Sequence, residues 1–393
     1  MCGLALVLLG VTTWRRVATE STPPLIIHRL LAAYVRLPGH SPRLAWPREG
    51  EAAVEVEGVG SLGVSGGYTP VPIASVAKVM TAYLTLLAHP LAAGAEGFTI
   101  TITAEQVEEE EQRAALGEST LSVRAGERIS ERQALQALLL PSANNIAALL
   151  AARSPGGEGA FVARMNSTAR RLGMVATTYT DPSGFQDTTL STAVDQLKLA
   201  RVAMGLPAFA AVVAERSAEL PVVGRVNNYN GLVGEDGYVG VKTGSDRAAG
   251  GCLVFAKRVT AAGRRLTVLG VVLGQRAGSL IEAGLAAGRA LGDSAAAALR
   301  AETALPAGTS VLSGSTADGR RTTAATQGAL REVGWGGLAL PVQVLVRHSV
   351  ALPRAGERMA TVAVVGSSPV STAALATHSL GAPSLGWRLR HLL

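Results

Sequence analysis

Apolar positions in this chain change their spacing from one stretch to the next, and those changes mark out its elements. Between residues 52 and 67 the run AAVEVEGVGSLGVSGG alternates apolar and polar side chains around glycines, the period of two of a β-hairpin. Residues 75–88 (SVAKVMTAYLTLLA) repeat their apolar positions at helical spacing, with Pro72 just before and Pro90 just after. Ser130 and Gln133 form a capping-box pair that opens a helix ending at Pro141, and a second apolar helix follows over 146–152. Further helices are predicted at 161–172 and 191–204, strands at 237–241, 252–258 and 265–274, and an Ala-rich helix before Arg300. Strands on both sides of a helical block predict an α+β, three-layer α/β/α organisation. From about Pro306 onward, short strand patterns separated by Gly and Pro predict a small β domain.

The first eleven residues, MCGLALVLLGV, are apolar and precede Trp14, Arg15 and Arg16. At that length they read as a signal-type core or the remnant of an N-terminal membrane anchor, with a buried helix as the alternative. No lipobox precedes Cys2. Residues 21–50 are rich in Pro and Arg, with an amphipathic patch at 25–37, and read as a linker. The expected organisation is therefore 1–20 signal or anchor, 21–50 linker, 51–303 catalytic domain and 304–393 β-rich C-terminal domain. Gly58, Gly60 and Gly63 spell a formal GxGxxG, but strand pattern rather than a helix follows, so it reads as a turn and not a dinucleotide site. Glu108 to Glu111 read as a solvated face.

Composition narrows the function. With 393 residues, 48% hydrophobic and 17% charged, the chain can bury a core and is not intrinsically disordered. No run reaches the roughly 18 apolar residues of a membrane span. The net charge of +7 suits anionic partners, yet the basic residues are scattered and aromatics make up only 4%, which argues against nucleic acid. Cys2 and Cys252 give neither a disulfide framework nor metal spacing, and nothing calls for a cofactor or a metal. Lysine is scarce: Lys78, Lys198, Lys242 and Lys257 are the only four among 36 basic residues. Arginine stays protonated at working pH, whereas a buried or crowded lysine can lose its proton and act as a base, so the lysines are where chemistry is sought first.

Ser75 and Lys78 stand at i and i+3 at the start of a helix, which places hydroxyl and amine on one face beside free backbone N–H groups. Ser142-Ala143-Asn144 follows a proline between two helices, where a loop can push short polar side chains into a cleft, although Ser and Asn there also suit helix capping. Lys242-Thr243-Gly244 follows the strand pattern GYVGV, its glycine admitting a close backbone and its lysine and threonine offering a cation and a hydroxyl to a carboxylate. An S-x-x-K alone is expected by chance about 0.3 times in such a chain, and all three motifs together well under about 0.01 times.

In these motifs the chain resembles the serine-type D-alanyl-D-alanine carboxypeptidases, the low-molecular-mass penicillin-binding proteins, of which S-x-x-K, S-x-N and K-T-G are the signatures. The resemblance extends through PIASVAKVMTAYL, LLLPSANNIAALLA, MNSTARRLGM, TDPSGF, STAVDQLKLA, NNYNGLVGEDGYVGVKTG and AAGGCLVFA, over roughly residues 52–300. It implies a penicillin-binding-protein/β-lactamase-like transpeptidase fold, with a helical subdomain and the site beside a central antiparallel sheet. It also implies that Ser75 is acylated by a peptidoglycan stem peptide ending in D-Ala-D-Ala, or by a β-lactam. Lys78 would be the general base and Ser142 a proton relay to the leaving amine. Asn144 would hold the substrate amide, Lys242 and Thr243 its carboxylate beside Gly244, and the N–H groups of Ser75 and Ser245 would form the oxyanion hole.

Ser245-Asp246-Arg247 departs from the aromatic or His, then Thr, that often follows K-T-G in the family, which leaves substrate preference open. Tyr229 and Asn230 belong to the site rim, the core or a turn. The C-terminal WRLRHLL lacks an amphipathic anchor pattern, so membrane attachment would fall to the N-terminus. A class A β-lactamase would need a Glu of an E-x-x-L-N type between Asn144 and Lys242, and none is present. A Ser-His-Asp hydrolase is disfavoured because His28, His40, His89, His348, His378 and His391 all lie outside residues 142–242. A wall-binding or penicillin-sensing protein without turnover is opposed by the intact Ser75 and Lys78.

Overall fold

The computed structural model describes residues 25–92, 94–347 and 352–390, so the apolar N-terminal run lies outside the described residues. The chain divides into two compact units, one spanning Arg43–Leu299 and one combining 300–393 with the residues before Arg43.

The larger unit is built on a five-stranded antiparallel sheet. In chain order its strands are β1 (Glu51–Val56), β2 (Gly60–Ser65), β3 (Tyr238–Asp246), β4 (Gly250–Ala261) and β5 (Arg264–Gln275). Across the sheet they run β3-β4-β5-β1-β2, with Thr243 opposite Leu253 and Val54 opposite Gly270. β3 is thus an edge strand. Between β2 and β3 the chain forms helices α1 (Lys78–Ala88), α2 (Ala104–Ala115), α3 (Glu131–Leu139), α4 (Asn144–Arg153), α5 (Gly157–Arg171), α6 (Ala193–Met204) and α7 (Pro207–Val213), and α8 (Leu280–Ala297) follows β5. Val76, Met80, Leu135, Leu138, Ile146, Phe209 and Val254 are among the buried residues that join helices and sheet in one core.

Local chemistry explains several boundaries. Ser130 and Gln133 make the expected capping box, with Ser130 Oγ accepting from Gln133 N at 3.1 Å and Gln133 Oε1 accepting from Ser130 N at 2.9 Å. Thr103 and Gln106 form a second one at the start of α2. Two carboxylates of β1 seize α6: Glu51 Oε2 accepts from Ala193 N at 3.2 Å at the helix N-terminus, and Glu55 pairs with Arg201. Cys252 is buried, and burial pushes its thiol up to about 12, so it behaves as an apolar side chain rather than a nucleophile.

The structure departs from the sequence reading at several points. The 21–50 segment, expected as a linker, contributes Ile26–Arg29 and Tyr34–Arg36 as the two edge strands of a seven-stranded sheet in the smaller unit. The other five strands are Ser310–Ser315, Arg321–Thr326, Val370–Ala376, Arg358–Val364 and Ala339–Val346. In the glutamate run, Glu110 is buried and accepts from Thr120 Oγ1 at 2.7 Å, so only its neighbours form a solvated face.

Candidate active site

Ser75 does not sit on an α-helix. Residues Ala74–Ala77 form a 3-10 turn, and the α-helix begins at Lys78. Ala74 enters that turn at φ 45°, a left-handed conformation that non-glycine residues seldom adopt. The turn leaves Ser75 half-buried and accessible while Val76, Ala77 and Lys78 pass into the core.

Lys78 is fully buried, and its Nζ has three neighbours within hydrogen-bond distance: Ser75 Oγ at 2.8 Å, Asn144 Oδ1 at 2.6 Å and the Ser183 carbonyl at 3.0 Å. Two of these are oxygens that can only accept. A neutral amine has two N–H groups and one lone pair, so the two carbonyl-type oxygens take both hydrogens and the lone pair is left for the Ser75 hydroxyl. Burial, and then the positive charge of Lys242, push the Lys78 pKa well below its ordinary value, while Asp181 and Glu118 push it back up.

The third motif lies inside β3 rather than after it. Lys242, Thr243 and Gly244 are all buried strand residues, and Lys242 Nζ donates to the Thr243 carbonyl at 2.9 Å. Burial alone lowers the Lys242 pKa to about 7. Gly244 abuts the Ser75 turn so closely that a Cβ would lie 3.0 Å from the Ile73 carbonyl oxygen and 3.1 Å from Ser75 N. The Ser75 amide and the strand carrying Ser245 are therefore neighbours. Ser142 is buried at φ 69°, and its Oγ has no hydrogen-bond partner among the described residues. Tyr229 N donates to the Leu140 carbonyl at 3.1 Å, which brings its backbone next to the Pro141–Ser142 segment, and the residue is 46% exposed. Asn230 is buried, and its Oδ1 accepts from Leu232 N at 3.2 Å, a turn role.

Two acids that sequence reasoning did not single out complete the site. Asp181 gathers the TDPSGF loop: Oδ2 accepts from Ser183 N at 3.0 Å, Ser183 Oγ at 2.6 Å and Phe185 N at 3.0 Å, and Oδ1 accepts from Thr189 Oγ1 at 2.7 Å. Gly184 follows at φ 77°, where a Cβ would meet the Ala74 carbonyl oxygen at 1.9 Å, so this loop is pressed against the Ala74–Ala77 turn. Glu118 accepts from Asn144 Nδ2 at 2.8 Å and pairs with Arg113 at 3.3 Å. The short acid two residues before a serine in a Pro-Ser-Gly turn was the available signal for Asp181; nothing in the sequence marks Glu118.

Geometry and ancestry agree. The D-alanyl-D-alanine carboxypeptidase family, peptidase S11, matches residues 67–277. The chain is similar to a D-alanyl-D-alanine endopeptidase of Pseudomonas aeruginosa, 34% identical over 209 residues that make up 51% of this chain and 63% of the relative. It is similar to the D-alanyl-D-alanine carboxypeptidase DacB2 of Mycobacterium tuberculosis, 37% identical over 38% of this chain and 52% of the relative. It thus spans a little over half the length of these curated relatives. The crystal structure of the Streptomyces K15 DD-transpeptidase superposes with a TM-score of 0.55 at 27% identity, covering 65% of this chain and 98% of that one. The fold is accordingly that of the penicillin-binding DD-peptidases, and with more than half of its length matched by the family, this chain belongs to the D-alanyl-D-alanine carboxypeptidase family, peptidase S11.

Proposed function

We propose that the protein is a serine D-alanyl-D-alanine carboxypeptidase that removes the terminal D-Ala of peptidoglycan stem peptides, and that β-lactams acylate it at the same serine. The observation that carries this reading is the environment of Lys78, whose Nζ lies within hydrogen-bond distance of two obligatory acceptors and of Ser75 Oγ, so that a neutral amine would give its hydrogens to the former and turn its lone pair to the latter. Ser75 Oγ gives its proton to Lys78 Nζ as it attacks the carbonyl carbon of the penultimate D-Ala. The oxyanion is held by the N–H groups of Ser75 and Ser245. As the tetrahedral intermediate collapses, the C–N bond breaks and the proton passes from Lys78 through the Ser142 hydroxyl to the leaving amine of D-Ala. Water then cleaves the ester and restores Ser75. Lys242 and Thr243 bind the terminal carboxylate, and Asn144 Nδ2 retains a second hydrogen for the substrate amide.

The unit Arg43–Leu299 carries this chemistry, and the β unit serves as a spacer or docking module. The substrate class places the site outside the cytoplasmic membrane, and the apolar N-terminus is read as the export or anchoring element. A second reading follows from the Pseudomonas relative, named an endopeptidase: the same acyl-enzyme formed on a crosslinked strand, with a longer amine leaving. D-alanine release from a diacylated L-Lys-D-Ala-D-Ala peptide, with Ser75→Ala as control, tests the first. Release that vanishes in the control supports it. Penicillin labelling of Ser75 without release, but with cleavage of crosslinked dimers, favours the second.

A further inference from the structure

The Asn144 side chain has two faces of opposite character, and the protein meets each with a charge. Its Oδ1 lies 2.6 Å from Lys78 Nζ and its Nδ2 lies 2.8 Å from Glu118 Oε2. Glu118 belongs to the segment between α2 and α3, and its side chain is only 4% exposed. Arg113, in the last turn of α2, reaches both of its carboxylate oxygens at 3.3 and 3.4 Å. A chain of contacts therefore runs Arg113–Glu118–Asn144–Lys78–Ser75.

A terminal amide can be turned end for end with little change in shape, so packing alone does not fix which end faces Lys78. Charge does. In the reversed orientation the carbonyl oxygen of Asn144 would face a buried carboxylate, and its NH2 group would face the lysine. The consequence for Lys78 is specific. An amide N–H pointed at Nζ would capture the lone pair that otherwise accepts from Ser75, and the amine hydrogens would turn toward Ser75 and the Ser183 carbonyl. The serine would then receive a hydrogen bond where it needs to donate one.

We infer that Glu118, held by Arg113, is a positioning residue: it fixes the amide orientation of Asn144, so that the Lys78 lone pair is directed at Ser75. The inference rests on the reading of Ser75 as a nucleophile activated by Lys78, and it adds a residue that lies outside all three signature motifs. Glu118 also faces Lys78 electrostatically, together with Asp181 and against Lys242, and its negative charge holds the lysine pKa up.

The test is the second-order rate of acylation by a fluorescent penicillin as a function of pH, in the full-length wild type, Glu118→Ala and Glu118→Gln. Alanine removes both acceptor and charge, leaves Asn144 free to turn, and is expected to slow acylation about 10- to 100-fold, the scale of a misplaced catalytic group. Glutamine keeps an acceptor for Asn144 Nδ2 and discards the charge. It is expected to stay within about threefold of wild type at the optimum, while its acid limb moves to lower pH because Lys78 loses a proton more readily. Wild-type rates and an unmoved limb in both variants would overturn the inference. So would equal losses in both that track a fall in thermal stability, which would make Glu118 a support of the fold alone. If Glu118→Ala does not fold, Glu118→Leu, which fills the site without offering Asn144 an acceptor, takes its place with the same loss expected. A wild type that neither labels with penicillin nor releases D-alanine would overturn the underlying reading, whereas failure of the variants alone removes only the role of Glu118.

Discussion

Replacing Asp181 separates the architecture of the site from its electrostatics. In Asp181→Ala, four donors lose their acceptor. Two have a substitute within reach: Phe185 N lies 3.2 Å from Ser183 Oγ, and the Thr189 hydroxyl can turn to Thr180 Oγ1 at 3.1 Å. The backbone N–H and the hydroxyl of Ser183, both on a buried residue, have no other acceptor among the described residues and are stranded. At about 1–3 kcal/mol for each buried donor left unmade, the loss is on the order of 4 kcal/mol. For a unit of this size each kcal/mol is worth ~2–4 °C, so the transition of the Arg43–Leu299 unit, identified by its shift on acylation, falls by roughly 10 °C in calorimetry. Acylation slows as well, because the Ser183 carbonyl that takes one Lys78 hydrogen is no longer held. Asp181→Asn behaves differently. Its oxygen can keep the three Oδ2 contacts and its NH2 group can donate to a turned Thr189 hydroxyl, so stability stays within about 1 kcal/mol of wild type. It lacks the negative charge that raises the Lys78 pKa, so the acid limb of acylation moves to lower pH. A transition in Asp181→Ala within a few degrees of wild type, or an equal fall in both variants, would refute the reasoning.

Other outcomes follow from the same geometry. With the Lys242 pKa held at about 7 by burial, pairing with a carboxylate restores its proton: titrating a penicillin into Ser75→Ala should take up roughly 0.9 proton at pH 8 and little at pH 6. Calorimetric binding heats that do not depend on the buffer at pH 8 would exclude it. Gly244→Ala places a methyl 3.0–3.1 Å from backbone atoms of Ile73, Ser75 and Val76, none of which is a flexible end, so the serine shifts and acylation drops about 100-fold. Labelling rates near wild type would count against that seat. Tyr229→Ala removes an exposed ring: the melting point should hold within about 0.5 kcal/mol in stability terms while KM changes between short and long stem peptides. Identical KM values would assign Tyr229 to the surface alone.

What the sequence reveals depends on whether the signal is local. The Ser130–Gln133 capping box, the strand β4 and the i, i+3 pair of Ser75 and Lys78 are written within a few residues, and each is legible. The 3-10 turn that presents Ser75 is less so, since the periodicity of 75–88 continues smoothly into α1. The sequence pattern GYVGV ends at K-T-G, yet Lys242 and Thr243 are buried within β3, which runs on to Asp246. Residues 21–50 carry too little alternation to announce Ile26–Arg29 and Tyr34–Arg36 as edge strands, whose side chains are mostly exposed. Glu118 and Asp181 are the deepest omissions. Their role comes from burial beside residues dozens of positions away, and a carboxylate in a list of residues looks the same whether water or Lys78 surrounds it.

The sheet order has a bearing on when activity can arise during folding. β1 lies between β2 and β5, so a strand from the first tenth of the unit finds one of its two neighbours only at Arg264–Gln275. Closing so long a loop is slow, because the entropy of bringing the ends together must be lost before any strand pairing offsets it. Gly244, whose strand hangs on β4 and through it on β5, cannot take its place against Ser75 earlier. A chain released or paused before residue 275 therefore lacks the strand that seats Ser75, and under the proposed function penicillin labelling would report completed folding as directly as it reports chemistry.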